Sequence, residues 1–182
     1  LPNILPEEQR SKLHGFEISR VHHRYRQDPM SLDDLVVWLK ELDGPIIVVL
    51  NTVHTAAAAA RAAKRVFGEG NVMHLSTSLT PQDRETTLAL VKARLRYKTQ
   101  TKWCLFATSC VEAGVDLSFR TGVRECASLL AVLQLAGRVN RNSEYASTDV
   151  WTVTLNANHS GVTRNPSLNV SARILQEFFE NK

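Results

Sequence analysis

Cysteine is scarce in this chain: Cys104, Cys110 and Cys126 are the three among 182 residues, an odd number without C-x-x-C spacing. Such usage suggests neither a disulfide framework nor a zinc site, and it fits a reducing, cytoplasmic setting. No apolar run approaches the roughly 20 residues a membrane-spanning helix needs, which excludes a transmembrane protein. There is no G-x-x-x-x-G-K-[ST] phosphate loop, so the chain alone cannot bind Mg-ATP in the usual way. The histidines bring no metal or nuclease cluster, because His22-His23, His54, His74 and His159 have no suitably placed acids. Charge of one sign does not dominate either: 22 Lys+Arg against 18 Asp+Glu leave a net +4, which permits a polyanionic partner without requiring one.

What is present is a composition ordinary for a soluble globular protein, with 43% hydrophobic residues and a length that suits one well-buried domain. The chain opens on Leu1-Pro2-Asn3-Ile4-Leu5-Pro6, without Met and without the order of a signal peptide, and reads as a piece of something longer. Residues 1–30 read as an irregular lead-in with a cationic cluster, Arg20, His22, His23, Arg24 and Arg26. That cluster fits either a solvated edge or an extension of a nucleic-acid path.

From residue 31 a regular alternation begins. Ser31 opens a helix carrying Leu32, Leu35, Val36, Leu39 and Leu42 at helical spacing, and Asp43-Gly44-Pro45 stops it. Strands are expected at 46–50, 72–75, 103–107, 122–126 and 149–155, with an alanine-rich helix after the first, a Thr80-Pro81 helix after the second and a Ser128 helix after the fourth. Strands separated by helices imply parallel βαβ units, hence an α/β domain over 31–156. A polar loop and an amphipathic helix, with Ile174, Leu175 and Phe178 inward, complete 157–182.

In an open parallel sheet ligands bind beyond the carboxyl ends of the strands. There stand Asn51-Thr52, a hydroxyl-rich turn around Ser76, and Thr108 ahead of Gly114 and Asp116. Hydroxyls and amides of this kind suit a phosphate backbone, but Thr52 equally suits a helix cap and Ser76 a turn. Gly114 allows close backbone approach, and Asp116 is either a ribose acceptor or a turn-forming acid. The last segment, Gln134-Leu135-Ala136-Gly137-Arg138-Val139-Asn140-Arg141, runs a helix into a glycine and two arginines three residues apart. At that spacing both guanidinium groups reach one side, and Gly137 leaves room for another surface. Fixed cations there suit a triphosphate undergoing hydrolysis, although solvated helix-end charges would look the same in isolation.

In order and spacing these four segments resemble motifs IV, IVa, V and VI of superfamily-2 helicases, over roughly residues 45–155. The stretches Phe119-Arg120 to Arg124-Glu125 and Ala136 to Arg141 are most similar to the CRISPR-associated helicase of type I systems. The resemblance implies a second RecA-like domain, a three-layer fold with a mainly parallel sheet flanked by helices. It also implies ATP with Mg2+ held mainly by an absent N-terminal RecA-like domain, and single-stranded DNA crossing both. By motif position Gln134, Arg138 and Arg141 would face the triphosphate, with Gly114, Asp116 and Gly137 near the nucleotide. Asn51, Thr52, Ser76 and Thr108 would contact the strand. Leu135 departs from the family pattern, in which many members have an arginine after the glutamine. No Asp-Glu metal-binding pair of the DEAD type is present. The expected activity is therefore that of one half of an ATP-dependent helicase, inactive in isolation, with a CRISPR surveillance complex as a further partner and no metal site of its own. An RNA helicase, a restriction-type translocase and a non-catalytic nucleic-acid-binding module are the alternatives.

Overall fold

The computed structural model describes residues 6–98, 102–111 and 116–181. It overturns one expectation at the outset. The segment before residue 31 is not irregular: it forms α1 (Glu7–Arg20) and β1 (Val21–Met30). Only Val21 and Met30 of β1 are buried, so no alternating apolar pattern marks it as a strand. It is held as an edge strand by parallel pairing with the last strand of the sheet, which places Val21 opposite Thr148 and Arg26 opposite Val153.

The helices after β1 open on the caps visible in the sequence. For α2 (Leu32–Leu39), the Ser31 hydroxyl accepts from the Asp34 amide at 3.1 Å, and the Asp34 carboxylate accepts from the Ser31 amide at 3.3 Å. This capping box occupies amides that a first helical turn leaves without partners. After β2 (Ile46–Val49), Thr52 caps α3 (Val53–Phe67), whose Ala56, Ala59, Ala60 and Ala63 are buried; small side chains let this helix lie close on the sheet. After β3 (Val72–Leu75), Thr80 and Pro81 begin α4 (Pro81–Tyr97). β4 (Cys104–Ala107) and β5 (Thr121–Glu125) follow, then α5 (Leu129–Ala136) behind Ser128, β6 (Thr148–Leu155) and α6 (Asn169–Glu180).

The strands lie in the order β1-β6-β5-β2-β4-β3, all parallel. Alternation along β2 supplies both cores. Ile46 and Val48 join α2 and α3 on one face, while Ile47 and Val49 join α4, α5 and α6 on the other. The result is a helix-sheet-helix sandwich of RecA-like type. Burial raises the thiols of Cys104 to about 12 and of Cys126 to about 11, so both remain protonated and inert at neutral pH. Among the described residues no helix is long and apolar enough to cross a membrane.

α6 is turned differently from the expectation. Leu175 is buried, but Ile174 and Phe178 are exposed, and Phe179 stacks on Tyr25 at 5.0 Å instead. Two apolar rows run side by side on this helix, and only the Ala172, Leu175 and Phe179 row meets the sheet.

Gly122 in β5 is the position where a missing side chain matters most to packing. A Cβ there would lie 2.7 Å from Val139 Cγ2 and 3.2 Å from Leu135 Cδ2, so the glycine lets α5 and the segment after it settle onto the sheet. Gly122→Ala is expected to lower stability by about 1–3 kcal/mol through overpacking. A thermal midpoint equal to that of the parent chain would show instead that Val139 yields freely.

Candidate functional site

Because every strand is parallel, their carboxyl ends share one edge, and the turns leaving β2, β3, β4 and β5 meet there. The turn after β2 is fixed from inside. Asn51 donates its backbone amide to Glu125 Oε2 at 2.7 Å and its Nδ2 to the Cys126 carbonyl at 2.9 Å, and its Oδ1 accepts from Arg124 at 2.7 Å. Arg124, 3% exposed, also donates to the carbonyls of Val49 and Glu125. Burial holds the Glu125 carboxyl above its ordinary range, opposed by the Asn51 amide and the Arg124 charge. The Asn51 carboxamide is thus occupied in tying β2 to β5.

The hydroxyls expected to grip a strand are similarly drawn inward. Ser76 is 0% exposed, with its Oγ 2.8 Å from that of Ser78. Thr108 is 7% exposed, with its amide donating to the Leu75 carbonyl at 3.2 Å and its hydroxyl directed to Cys110 Sγ. Each directly follows a buried strand residue, so its side chain still obeys the packing of the sheet. Within the chain, Ser76 and Thr108 hold these turns. Thr52, half-buried, accepts from the Thr55 amide at 3.1 Å as a helix cap and lies 2.7 Å from Thr163 Oγ1. Thr77, Ser78 and Ser109 are exposed polar residues on this edge.

The two arginines lie beyond α5. Gly137 ends the helix with its amide on the Leu133 carbonyl at 3.0 Å. The chain then pairs with Phe119, whose amide donates to the Arg138 carbonyl and whose carbonyl accepts from the Asn140 amide, both at 2.8 Å. From this short bridge Arg138 sends Nε to the Val111 carbonyl at 3.2 Å, and Arg141 pairs through Nε with Asp116 Oδ1 at 3.2 Å. Partial burial lowers the Arg138 pKa, the neighbouring Arg141 charge lowers it further, and Asp116 opposes both. Asp116 is 82% and Arg141 45% exposed, so their ion pair is weak and readily exchanged for another anion.

Gln134 is not grouped with them. It lines a cavity of about 230 Å³ with Asn51, Ser109, Arg124 and Ser128 at the carboxyl edge, one helical turn before Arg138. Gly137 has ordinary right-handed backbone, and a Cβ there would come no nearer than 3.4 Å to the Gln134 carbonyl, so nothing among the described residues requires a glycine. Gly114 lies outside the described residues. Among the described residues no group of three or more His, Cys, Asp or Glu is placed to hold a metal ion. Of the two cations on this loop, Arg141 is exposed and Arg138 half-buried.

A family model described as "CRISPR-associated nuclease/helicase Cas3, C-terminal" matches residues 43–144, from the turn before β2 to the loop after Arg141. The chain belongs to this family. Its fold is that of a superfamily-2 helicase C-terminal domain. The Cas3 nuclease/helicase of Haloferax volcanii is 33% identical over 86 residues, which are 45% of this chain and 9% of that protein. The structure of T. fusca Cas3 with AMPPNP superposes with a TM-score of 0.70 at 15% identity, over 90% of this chain and 22% of that one. The DUF1998 helicase MrfA bound to DNA and AMPPNP gives 0.54 at 16% identity, over 89% and 22%. The chain thus spans between 9% and 22% of these three proteins, and the two structures speak to the fold. The family match takes in Asn51, Thr52, Ser76, Thr108, Asp116, Gln134, Arg138 and Arg141; β1, β6 and α6 lie outside it.

Proposed function

We propose that this chain is the C-terminal RecA-like half of an ATP-dependent DNA helicase or translocase of CRISPR antiviral interference. In this reading the N-terminal RecA-like domain of the same protein holds ATP with Mg2+, and a CRISPR surveillance complex recruits the whole. The observation that carries the proposal is the placing of Arg138 and Arg141 on one loop fixed by the Phe119 bridge, with guanidinium groups anchored at the Val111 carbonyl and Asp116. Arg138 would be the better fixed of the two. Arg141 would leave the weak Asp116 pair to meet a phosphate. Together they would neutralise charge on the phosphoryl group being transferred, the role of arginine fingers in such enzymes. Asp116, released, would be free to accept from a ribose hydroxyl.

Along the carboxyl edge, the turns of Asn51, Thr52, Ser76 and Thr108, with the exposed Thr77, Ser78 and Ser109 beside them, would meet the sugar-phosphate backbone of a single strand. The interior network of Asn51, Arg124 and Glu125 would set the shape of that edge. Gln134, lining the same edge, would link strand contact to the arginine loop through α5. AMPPNP in the T. fusca Cas3 structure and DNA with AMPPNP in the MrfA structure support nucleotide and nucleic-acid binding in this reading. The isolated domain is expected to be inactive.

Contacts to backbone oxygens do not read bases, so the choice of nucleic acid is open to direct test. ATP turnover by the complete protein should rise severalfold with single-stranded DNA and much less with RNA of the same length. Equal or greater stimulation by RNA would move the domain to the RNA helicases, and no stimulation by either would leave a binding module.

A further inference from the structure

Arg20, the last residue of α1, is only 7% exposed although arginine is among the side chains most costly to bury. Its guanidinium donates to the carbonyl of Val139, the residue immediately after Arg138. The contact is reciprocal through the backbone: Asn140 Nδ2 and Thr148 Oγ1 each donate to the Arg20 carbonyl at 3.3 Å. α1 is therefore fastened to the arginine loop from both directions, across 119 positions of sequence.

Asn140 itself shows why such fastening is needed. It is fully buried and adopts a left-handed backbone conformation, φ 47°, that asparagine tolerates better than most residues but at a cost. Its side chain holds the turn closed, with Oδ1 accepting from the Tyr145 amide at 3.0 Å and Nδ2 donating to the Tyr145 carbonyl at 2.8 Å. Arg120 covers the Tyr145 ring at 4.1 Å and donates to the Ser147 carbonyl at 3.0 Å. The backbone that carries both proposed fingers is thus gripped by Phe119 on one side, by Arg20 on another and by its own Asn140–Tyr145 turn.

We infer that Arg20 is a positioning residue for Arg138 and Arg141: the α1–β1 junction braces their loop through the Val139 carbonyl, and the phosphoryl-transfer step depends on that brace. The inference rests on the finger reading above, and its test separates the two. In the complete protein, Arg20→Ala is expected to lower kcat for ATP by about tenfold to a hundredfold while KM stays within about twofold, the pattern of misplaced groups acting in the transition state. Arg20→Lys, which keeps a donor for the Val139 carbonyl, should recover most of the loss. Asn140→Gly, which tolerates the left-handed backbone but loses the amide bonds, should also lower kcat.

Wild-type kcat in Arg20→Ala beside an inactive Arg138→Ala would overturn this inference and leave the finger reading standing. An active Arg138→Ala would overturn both. Activity that falls only in proportion to the folded fraction, without recovery in Arg20→Lys, would reduce Arg20 to a structural role. Should Arg20→Ala fail to fold, Asn140→Gly decides, and a wild-type kcat in it would contradict the brace.

Discussion

Arg138→Ala in the complete protein is expected to cut ATP turnover by about a thousandfold, the scale that arginine fingers supply in related phosphoryl-transfer reactions. The same change should leave the fold intact. Arg138 is half-buried, and its Nε bond to Val111 is a contact to a backbone carbonyl at the end of a short turn. Losing such a bond costs about 1 kcal/mol, small beside the stability of a domain of this size. Arg138→Lys should rescue poorly, because an ammonium cannot keep the Val111 carbonyl and a phosphoryl oxygen in the planar fork of a guanidinium. Far-ultraviolet dichroism and a thermal midpoint near wild type, with turnover almost gone, form the expected result. Residual turnover above about a tenth of wild type, against the thousandfold expected of a finger, would remove Arg138 from that role.

The second large effect is on stability. Arg124→Met removes a buried cation that serves the carbonyls of Val49 and Glu125 and the Oδ1 of Asn51. It also leaves the buried Glu125 carboxyl without its nearest compensating charge. Breaking a buried charged network from one side typically costs about 3–5 kcal/mol, which in a chain of this length is a fall in midpoint of roughly 10 °C. The deficit should depend on pH. Burial already holds the Glu125 carboxyl above the ordinary carboxylate range, so the folded chain takes up its proton more readily than the unfolded chain. Stability from this group is therefore present below that range and is lost as pH rises through the folded value. Without Arg124 the folded value rises further, making the loss greatest at neutral pH and smaller in acid. A midpoint within about 2 °C of wild type, less than 1 kcal/mol by the same conversion, would show that the network contributes little.

The elements whose signals are local were legible from the residues themselves. Ser31 with Asp34, Thr52, Thr80 with Pro81, and Ser128 each announce a helix through a bond made within a few residues, and the structure contains those bonds. The unbroken apolar run at β2 likewise announces a strand covered on both faces. β1 was illegible because an edge strand needs little apolar surface; its residues His22, His23 and Arg24 face solvent, and what holds it is pairing with β6.

The site divides the same way. The spacing of Arg138 and Arg141 is a local fact. Which hydroxyl of the turn after β3 points out is set by the register of the sheet, which buries Ser76 and leaves Thr77 and Ser78 exposed. The bonds from Arg124 to Asn51 and from Arg20 to Val139 join residues 73 and 119 positions apart, beyond the reach of any pattern in one chain. Arg124 and Glu125 stood out as part of a family signature, but their work as the interior tie between β2 and β5 required the fold.

The central claim is that this domain supplies charge to a phosphoryl group in flight, held by another domain. Its most direct test is the affinity of the complete protein for ADP with aluminium fluoride, compared with ADP alone, in the wild type and in Arg138→Ala. The expected result is a large loss of affinity for the transition-state mimic with ADP binding nearly unchanged, because a finger acts on the group being transferred and not on the nucleotide that remains. Equal affinities for the mimic in the two proteins would contradict the claim.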